Sequence, residues 1–132
     1  MAYKLSNNSF GNIAGINPLL IAIVVEALLD LDCPYDFGIP QFGGMRNARE
    51  QNALFHAGLS QLNGYTKKSY HQSGNAFDVF AYVNGKATWD IEILSKLAKH
   101  IMMIASVRYG VQLTYGGNWS SFRDYVHFQI NK

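Results

Sequence analysis

The chain has 132 residues, 48% of them hydrophobic and 15% charged; this excludes a disordered tail or a charged coiled coil and leaves room for one domain, residues 1–132. Eleven Lys and Arg against nine Asp and Glu give a net charge of +2, too mild for a dedicated nucleic-acid binder. The single cysteine, Cys33, has no partner for an internal disulfide, so nothing in the chain depends on an oxidising compartment.

The opening Met1 to Phe10 lacks the basic start, apolar stretch and small-residue cleavage site of a signal peptide, so general secretion is not expected. Asn17-Pro18 has the form of an N-cap with proline at the first helical position, and the helix should run to about Leu29 before Asp30 to Tyr35 break it at Pro34. Its apolar run, interrupted by Glu26, is shorter than the roughly 20 residues of a membrane span, so a buried helix and no stable membrane insertion are expected. A short extended piece, Gly38 to Phe42, ends at Gly43-Gly44. Asn47 and Glu50 have the spacing of a capping box and start a second helix that stops near Gly58. Leu59 to Tyr70 is polar and loop-like. Phe77 to Val83 alternates as one strand, with Asp78, Phe80 and Tyr82 on the face opposite Phe77, Val79, Ala81 and Val83.

Asn84-Gly85 is a turn signal, and Thr88 can cap a third helix whose apolar positions from Ile91 to Ala105 follow the 3.6 period until Gly110 closes it. Val111 to Tyr115 and Tyr125 to Ile130 read as two further strands joined by the loop Gly116 to Asp124, with His127 on the face opposite Val126, Phe128 and Ile130. Helices and strands do not alternate regularly. The fold class expected is α+β, a small, mostly antiparallel sheet of about four strands packed with three helices. No apolar stripe is left for a partner, so a monomer is expected.

Of the four histidines, His56 falls in a predicted helix and His100 on the polar side of another, where solvated or capping roles fit better than ligand roles. His71 and His127 keep company with carboxylates. His71 sits in a glycine-containing turn that leads into the strand carrying Asp78, and His127 follows Asp124 by three residues. Catalytic zinc takes three N/O protein ligands and keeps one position open, and His71, Asp78 and His127 supply that number and type. Adjacent antiparallel strands would set Asp78 beside His127. Asp124 is the nearest carboxylate for a general base that is not itself a ligand. Spacing leaves a second reading open: a strand-end Asp, a capping Asp and two hydrogen-bonded histidines.

Ser69, His71, Gly74, Ala76 and Asp78, taken with Asp124, His127 and Phe128, resemble the metal segments of the zinc D-Ala-D-Ala peptidases that include the VanY-type carboxypeptidases. The resemblance is closer still to their phage endolysin branch, the L-alanyl-D-glutamate peptidases. It covers most of the chain: Lys4-Leu5-Ser6 and Gly15 to Leu20 are similar to that branch's opening, Gly44-Met45-Arg46 with Glu50-Gln51 to its Gly-x-Arg and Glu-Gln stretch, and Tyr115 to Trp119 to its aromatic-Gly-Gly-Asp-Trp loop. Two positions depart from the pattern. Asn118 stands where Asp is common, which bears on loop charge and substrate preference; Val126 stands where proline often precedes the second histidine, removing a backbone restraint.

The resemblance implies a Hedgehog/DD-peptidase-like fold, with Zn2+ on His71, Asp78 and His127 and Asp124 as general base. Asp124 would take a proton from water and pass it to the departing amine. Arg46 would face the substrate carbonyl or carboxylate and help stabilise the oxyanion, its plain alternative being a surface arginine before a helix. Ser69 would orient the histidine loop or bind substrate, its alternative a turn serine. Trp119 would line the groove or belong to the core. The implied substrate is bacterial peptidoglycan, cut between L-Ala and D-Glu, by an enzyme made in a host cytoplasm and released through a holin pore. Because both histidines must be neutral to bind metal, activity should fall in acid. Two rivals are a D-Ala-D-Ala carboxypeptidase of the same family and a non-catalytic, zinc-stabilised wall-binding module.

Overall fold

The computed structural model describes residues 3–131. Its elements in chain order are α1 (Asn7–Ile13), α2 (Pro18–Leu29), β1 (Asp36–Gly38), α3 (Ala48–His56), a 3-10 turn (Tyr70–Ser73), β2 (Ala76–Asp78), β3 (Phe80–Val83), β4 (Lys86–Thr88), α4 (Ile91–Tyr109), β5 (Thr114–Tyr115), a second 3-10 turn (Gly116–Asn118) and β6 (His127–Gln129). The α+β class expected from the sequence holds. The strands form two antiparallel sheets of three, ordered β1-β3-β4 and β2-β6-β5, in place of one sheet of about four.

The two long helices form as their ends dictate. Asn17 caps α2, its Oδ1 accepting from the Leu19 N–H at 3.0 Å, and α2 buries Leu20, Ile23, Val24, Ala27 and Leu28, the i, i+3, i+4, i+7 stripe of a core helix. Helix α4 packs against it, burying Leu94, Leu97, Ala98, Ile101, Ile104 and Ala105. Asp90 caps α4, its Oδ1 accepting from Ile93. Thr88, the expected cap, lies in β4 instead, where its Oγ1 accepts from the Asp90 N–H. His100 also departs from expectation. It is buried in α4 and its Nε2–H donates to the Ala27 carbonyl of α2 at 2.8 Å, a core hydrogen bond between the two helices. Among the described residues no helix is long and apolar enough to cross a membrane.

Phe77 to Val83, expected as one strand, is two. β2 pairs with β6 and β3 pairs with β1 and β4, so the chain passes from one sheet to the other at Val79. Alternation continues through the junction, with Phe77, Val79 and Ala81 all buried, because side-chain direction depends on the extended backbone and not on which strand lies alongside. Gly38 to Phe42 shortens for a different reason. β1 ends at Gly38, and Pro40, without an N–H, instead accepts from the Gly43 N–H in a turn.

The core face of the second sheet is an aromatic stack. Phe77 and Phe128 face each other across β2 and β6 with ring centroids 5.0 Å apart, and Tyr115 of β5 stacks on Phe128 at 4.9 Å. Strand alternation then forces the neighbours of Phe77 and Phe128, namely Asp78 and His127, onto the opposite face.

Candidate metal centre

Asp78 and His127 are direct partners in the β2–β6 register. His71 reaches them from the first 3-10 turn, which begins at Ser69: the Ser69 Oγ accepts from the His71 N–H at 3.1 Å, and the Gln72 side chain returns to accept from the Ser69 N–H at 2.9 Å. Gly74 ends the turn at φ +75, left-handed backbone that a side chain adopts only with strain. The Gly74 carbonyl then accepts from the Asn17 N–H at 2.8 Å, tying the turn to the start of α2. The Ser69 side chain thus caps the turn that carries His71.

Neighbouring acceptors fix the tautomers of both rings. The Nδ1–H of His71 donates to the Gly44 carbonyl at 2.8 Å, and the Nε2–H of His127 donates to the Gln129 Oε1 at 2.8 Å. This leaves bare lone pairs on His71 Nε2 and His127 Nδ1, which lie 3.2 Å apart and 3.1 and 3.2 Å from Asp78 Oδ1. Three buried acceptors facing one another with no donor between them repel. A cation at their centre removes that repulsion. Tetrahedral zinc with bonds of about 2.0–2.2 Å sets its ligand atoms roughly 3.3–3.6 Å apart, so a widening of a few tenths of an ångström lets this donor set take such an ion. Among the described residues this is the group able to hold a metal.

Gly44 owes its identity to this arrangement. A Cβ there would lie 2.2 Å from the Asn12 carbonyl of α1, so only glycine lets α1 press on the turn that supplies the acceptor for His71.

Arg46 and Gln51 stand behind Asp78. The Nη2 of Arg46 donates to Asp78 Oδ2 at 3.0 Å, its Nη1 to Gln51 Oε1 at 3.0 Å and its Nε to the Phe42 carbonyl at 2.7 Å. Where the resemblance puts Arg46 on substrate, the structure gives each of its nitrogens a protein acceptor, though the side chain still lines the groove. Gln51 is fully buried and donates onward to Ser60 and the Leu62 carbonyl. Burial alone would raise the Asp78 pKa, but in the metal-free protein the charge that His71 and His127 carry when protonated, and the hydrogen bonds they then donate, hold it well below the usual carboxylate range.

The site opens into a groove of about 710 Å³ between residues 58–62 and residues 119–126. Asp124 lines it, half-buried and outside the converging triad. Burial, joined by the charge of Asp78, raises its pKa. Its backbone is held at both ends: its N–H donates to the Gly116 carbonyl at 3.1 Å and its carbonyl accepts from the His127 N–H at 3.2 Å. Trp119 is a groove residue, its ring tilted against that of His127 at 5.4 Å. The Val126 carbonyl accepts from the Val79 N–H at 3.0 Å, a bond that holds the backbone leading into His127 where proline is common. His56 lies exposed in the last turn of α3, away from the groove lining.

Gln129 and the Gly44 carbonyl, which set the tautomers, carry no sequence signal beyond the parity that puts Gln129 on the face of His127. Gln51 is visible only as part of the Glu-Gln stretch.

A family model described as phage L-alanyl-D-glutamate peptidase matches residues 1–130. The L-alanyl-D-glutamate peptidase of Escherichia phage T5 is 33% identical over 133 residues, spanning 100% of this chain and 92% of that protein. The crystal structure of the L-Ala D-Glu endopeptidase ChiX from Serratia marcescens superposes with a TM-score of 0.80 at 28% identity, covering 95% of this chain and 87% of that one. The L,D-carboxypeptidase DacB from Streptococcus pneumoniae superposes with a TM-score of 0.50 at 18% identity, over 91% of this chain and 68% of that one, a likeness of fold.

Proposed function

The chain belongs to the phage L-alanyl-D-glutamate peptidase family, and on that premise we propose that it holds one zinc ion on His71, Asp78 and His127 and hydrolyses the L-alanyl-D-glutamate bond of bacterial peptidoglycan. The observation that carries this reading is the meeting of three buried metal-ligating side chains at 3.1–3.2 Å in the lining of an open groove, with a separate carboxylate in the same lining. Bound zinc supplies Lewis acidity, lowering the pKa of a water towards about 7 and polarising a carbonyl.

The chain's own residues do the rest. Gly44 and Gln129 hold the two imidazoles in the tautomers that face inwards. Arg46 occupies the second oxygen of Asp78, leaving Oδ1 for the centre. Asp124 accepts the proton of the attacking water and delivers it to the departing amine, a task suited to a carboxylate whose pKa is raised by burial. Ser69 fixes the turn that carries His71. The protein acts as a monomer on the wall of its host, made in the host cytoplasm and released through a holin pore.

The test is digestion of purified peptidoglycan with and without chelator, with mass spectrometry of the products. New D-glutamyl amino termini, lost with chelator and restored by zinc, are expected. Release of terminal D-alanine alone would overturn the assignment.

A further inference from the structure

We infer that Arg123 forms a carboxylate subsite in the groove, binding the free carboxyl of the D-glutamyl residue on the departing side of the scissile bond. The inference rests on the peptidase reading above. A glutamyl residue brings two carboxyl groups and continuing the peptide consumes at most one, so a carboxylate remains a few bonds from the amine that leaves. That amine must come to Asp124 for its proton, which brings substrate anion and Asp124 carboxylate together. Like charges at that range repel, and a cation lining the same groove reduces the penalty.

The groove lining holds two guanidinium groups, Arg46 and Arg123. Arg46 is engaged at all three nitrogens by Phe42, Gln51 and Asp78. Arg123 donates its Nε to the Trp119 carbonyl at 2.9 Å, and among the described residues its two terminal nitrogens meet no protein acceptor. The anchor also orders the segment. Gly116 accepts from both Trp119 and Asp124, at 3.2 and 3.1 Å, so Arg123 sits in a closed loop directly before the proposed base. A planar fork with its inner nitrogen fixed and its outer pair open is suited to two parallel bonds with a carboxylate.

The test uses the zinc-loaded full chain and two synthetic stem peptides that differ only in the free D-glutamyl carboxyl, present as carboxylate or as carboxamide. Cleavage at the L-alanyl-D-glutamyl bond is followed by mass spectrometry. The wild-type chain should favour the carboxylate peptide in kcat/KM by about 10- to 100-fold, the range that charge-assisted hydrogen bonds give. Arg123→Gln should bring that ratio close to one, mainly by raising KM for the carboxylate peptide, and Arg123→Lys should keep part of it. An unchanged ratio in Arg123→Gln, with zinc content and far-UV spectrum intact, overturns the subsite. So does a wild-type ratio near one, a measurement that needs no variant to fold. Cleavage of neither peptide by the wild-type chain would sink the peptidase reading, and the subsite with it.

Discussion

Arg46 separates two accounts of how the site works. A guanidinium that meets substrate lowers turnover when lost and leaves the metal in place; one that grips Asp78 Oδ2 loosens the metal first. Arg46→Lys, which cannot reach three acceptors at once, should weaken zinc binding by about 10–100-fold, the usual effect of losing a partner of a ligand. Competition titration with a chromophoric chelator measures it, and unchanged affinity with reduced turnover would return Arg46 to the substrate. Asp124 behaves oppositely: Asp124→Asn should keep zinc and fold while turnover falls by about 10²–10⁴-fold, the contribution of a positioned base. Full activity in that variant removes Asp124 from the mechanism. His127 sets the pH dependence. Burial alone would lower the pKa of its imidazolium, but the hydrogen bond to Asp78 and the charge of Asp78 outweigh it and raise it in the metal-free protein. A raised folded value means that the protonated ring contributes stability below the unfolded value near about 6.5, and that this is lost as pH rises through the folded value. Zinc needs the neutral ring, so proton and metal compete. The gain in Tm on adding a fixed excess of zinc, measured by calorimetry, should therefore grow between about pH 6 and pH 8; a flat or shrinking gain would contradict this.

At the scale of elements, α1 matters because it leans on the turn that presents the Gly44 carbonyl. Gly44→Ala puts a Cβ 2.2 Å from a backbone oxygen of α1 and should destabilise the fold by about 1–3 kcal/mol or more, as overpacking does. Gly11→Ala, inside α1 with nothing within 4 Å of the new Cβ, should stabilise by up to about 1 kcal/mol through helix propensity. Urea denaturation of both variants checks the opposite signs. The same helix shows what the sequence conceals. α2, α3 and α4 are legible because their caps and apolar periods agree, whereas α1 buries only Ser9 and Ile13 and has no stripe to read. β4 is a three-residue, largely exposed strand, equally silent in pattern. The split at Val79 is invisible because alternation reports faces and not partners. His100 was hidden for a related reason: a polar side chain can enter a core once a neighbouring helix offers a carbonyl, here that of Ala27. The pairing of Asp78 with His127 was legible from strand parity, whereas joining His71 to them needed the resemblance, because residue type and spacing left a second reading open. The Gly44 carbonyl was not, since a backbone oxygen has no signature in composition.

In the molecule as a whole, the candidate ligands come from three elements, the 3-10 turn, β2 and β6, while the largest apolar burial lies elsewhere, between α2 and α4 and beneath both sheets. The two regions share the stack of Phe77, Phe128 and Tyr115, which holds β2, β6 and β5 together from the face opposite the site. That division predicts how the protein responds to loss of metal. A domain with its own apolar core does not need an ion to fold, in contrast to small zinc modules that are unfolded without one. Yet three facing acceptors without a cation repel, and the turn at Tyr70–Ser73 is held by local hydrogen bonds and by single bonds to Asn17, Gly44, Arg46 and Gly64, with no strand ladder of its own, so it is released more cheaply than the helix pair. Chelation should leave the far-UV spectrum and the amide protection of α2 and α4 nearly unchanged. Faster hydrogen exchange should be confined to residues 42–46, 69–75 and 119–127, the segments that meet at the site. Hydrogen exchange with mass spectrometry on zinc-loaded and chelated protein decides it: collapse of protection in α2 and α4 on chelation would show that the ion, and not the helix pair, organises the fold.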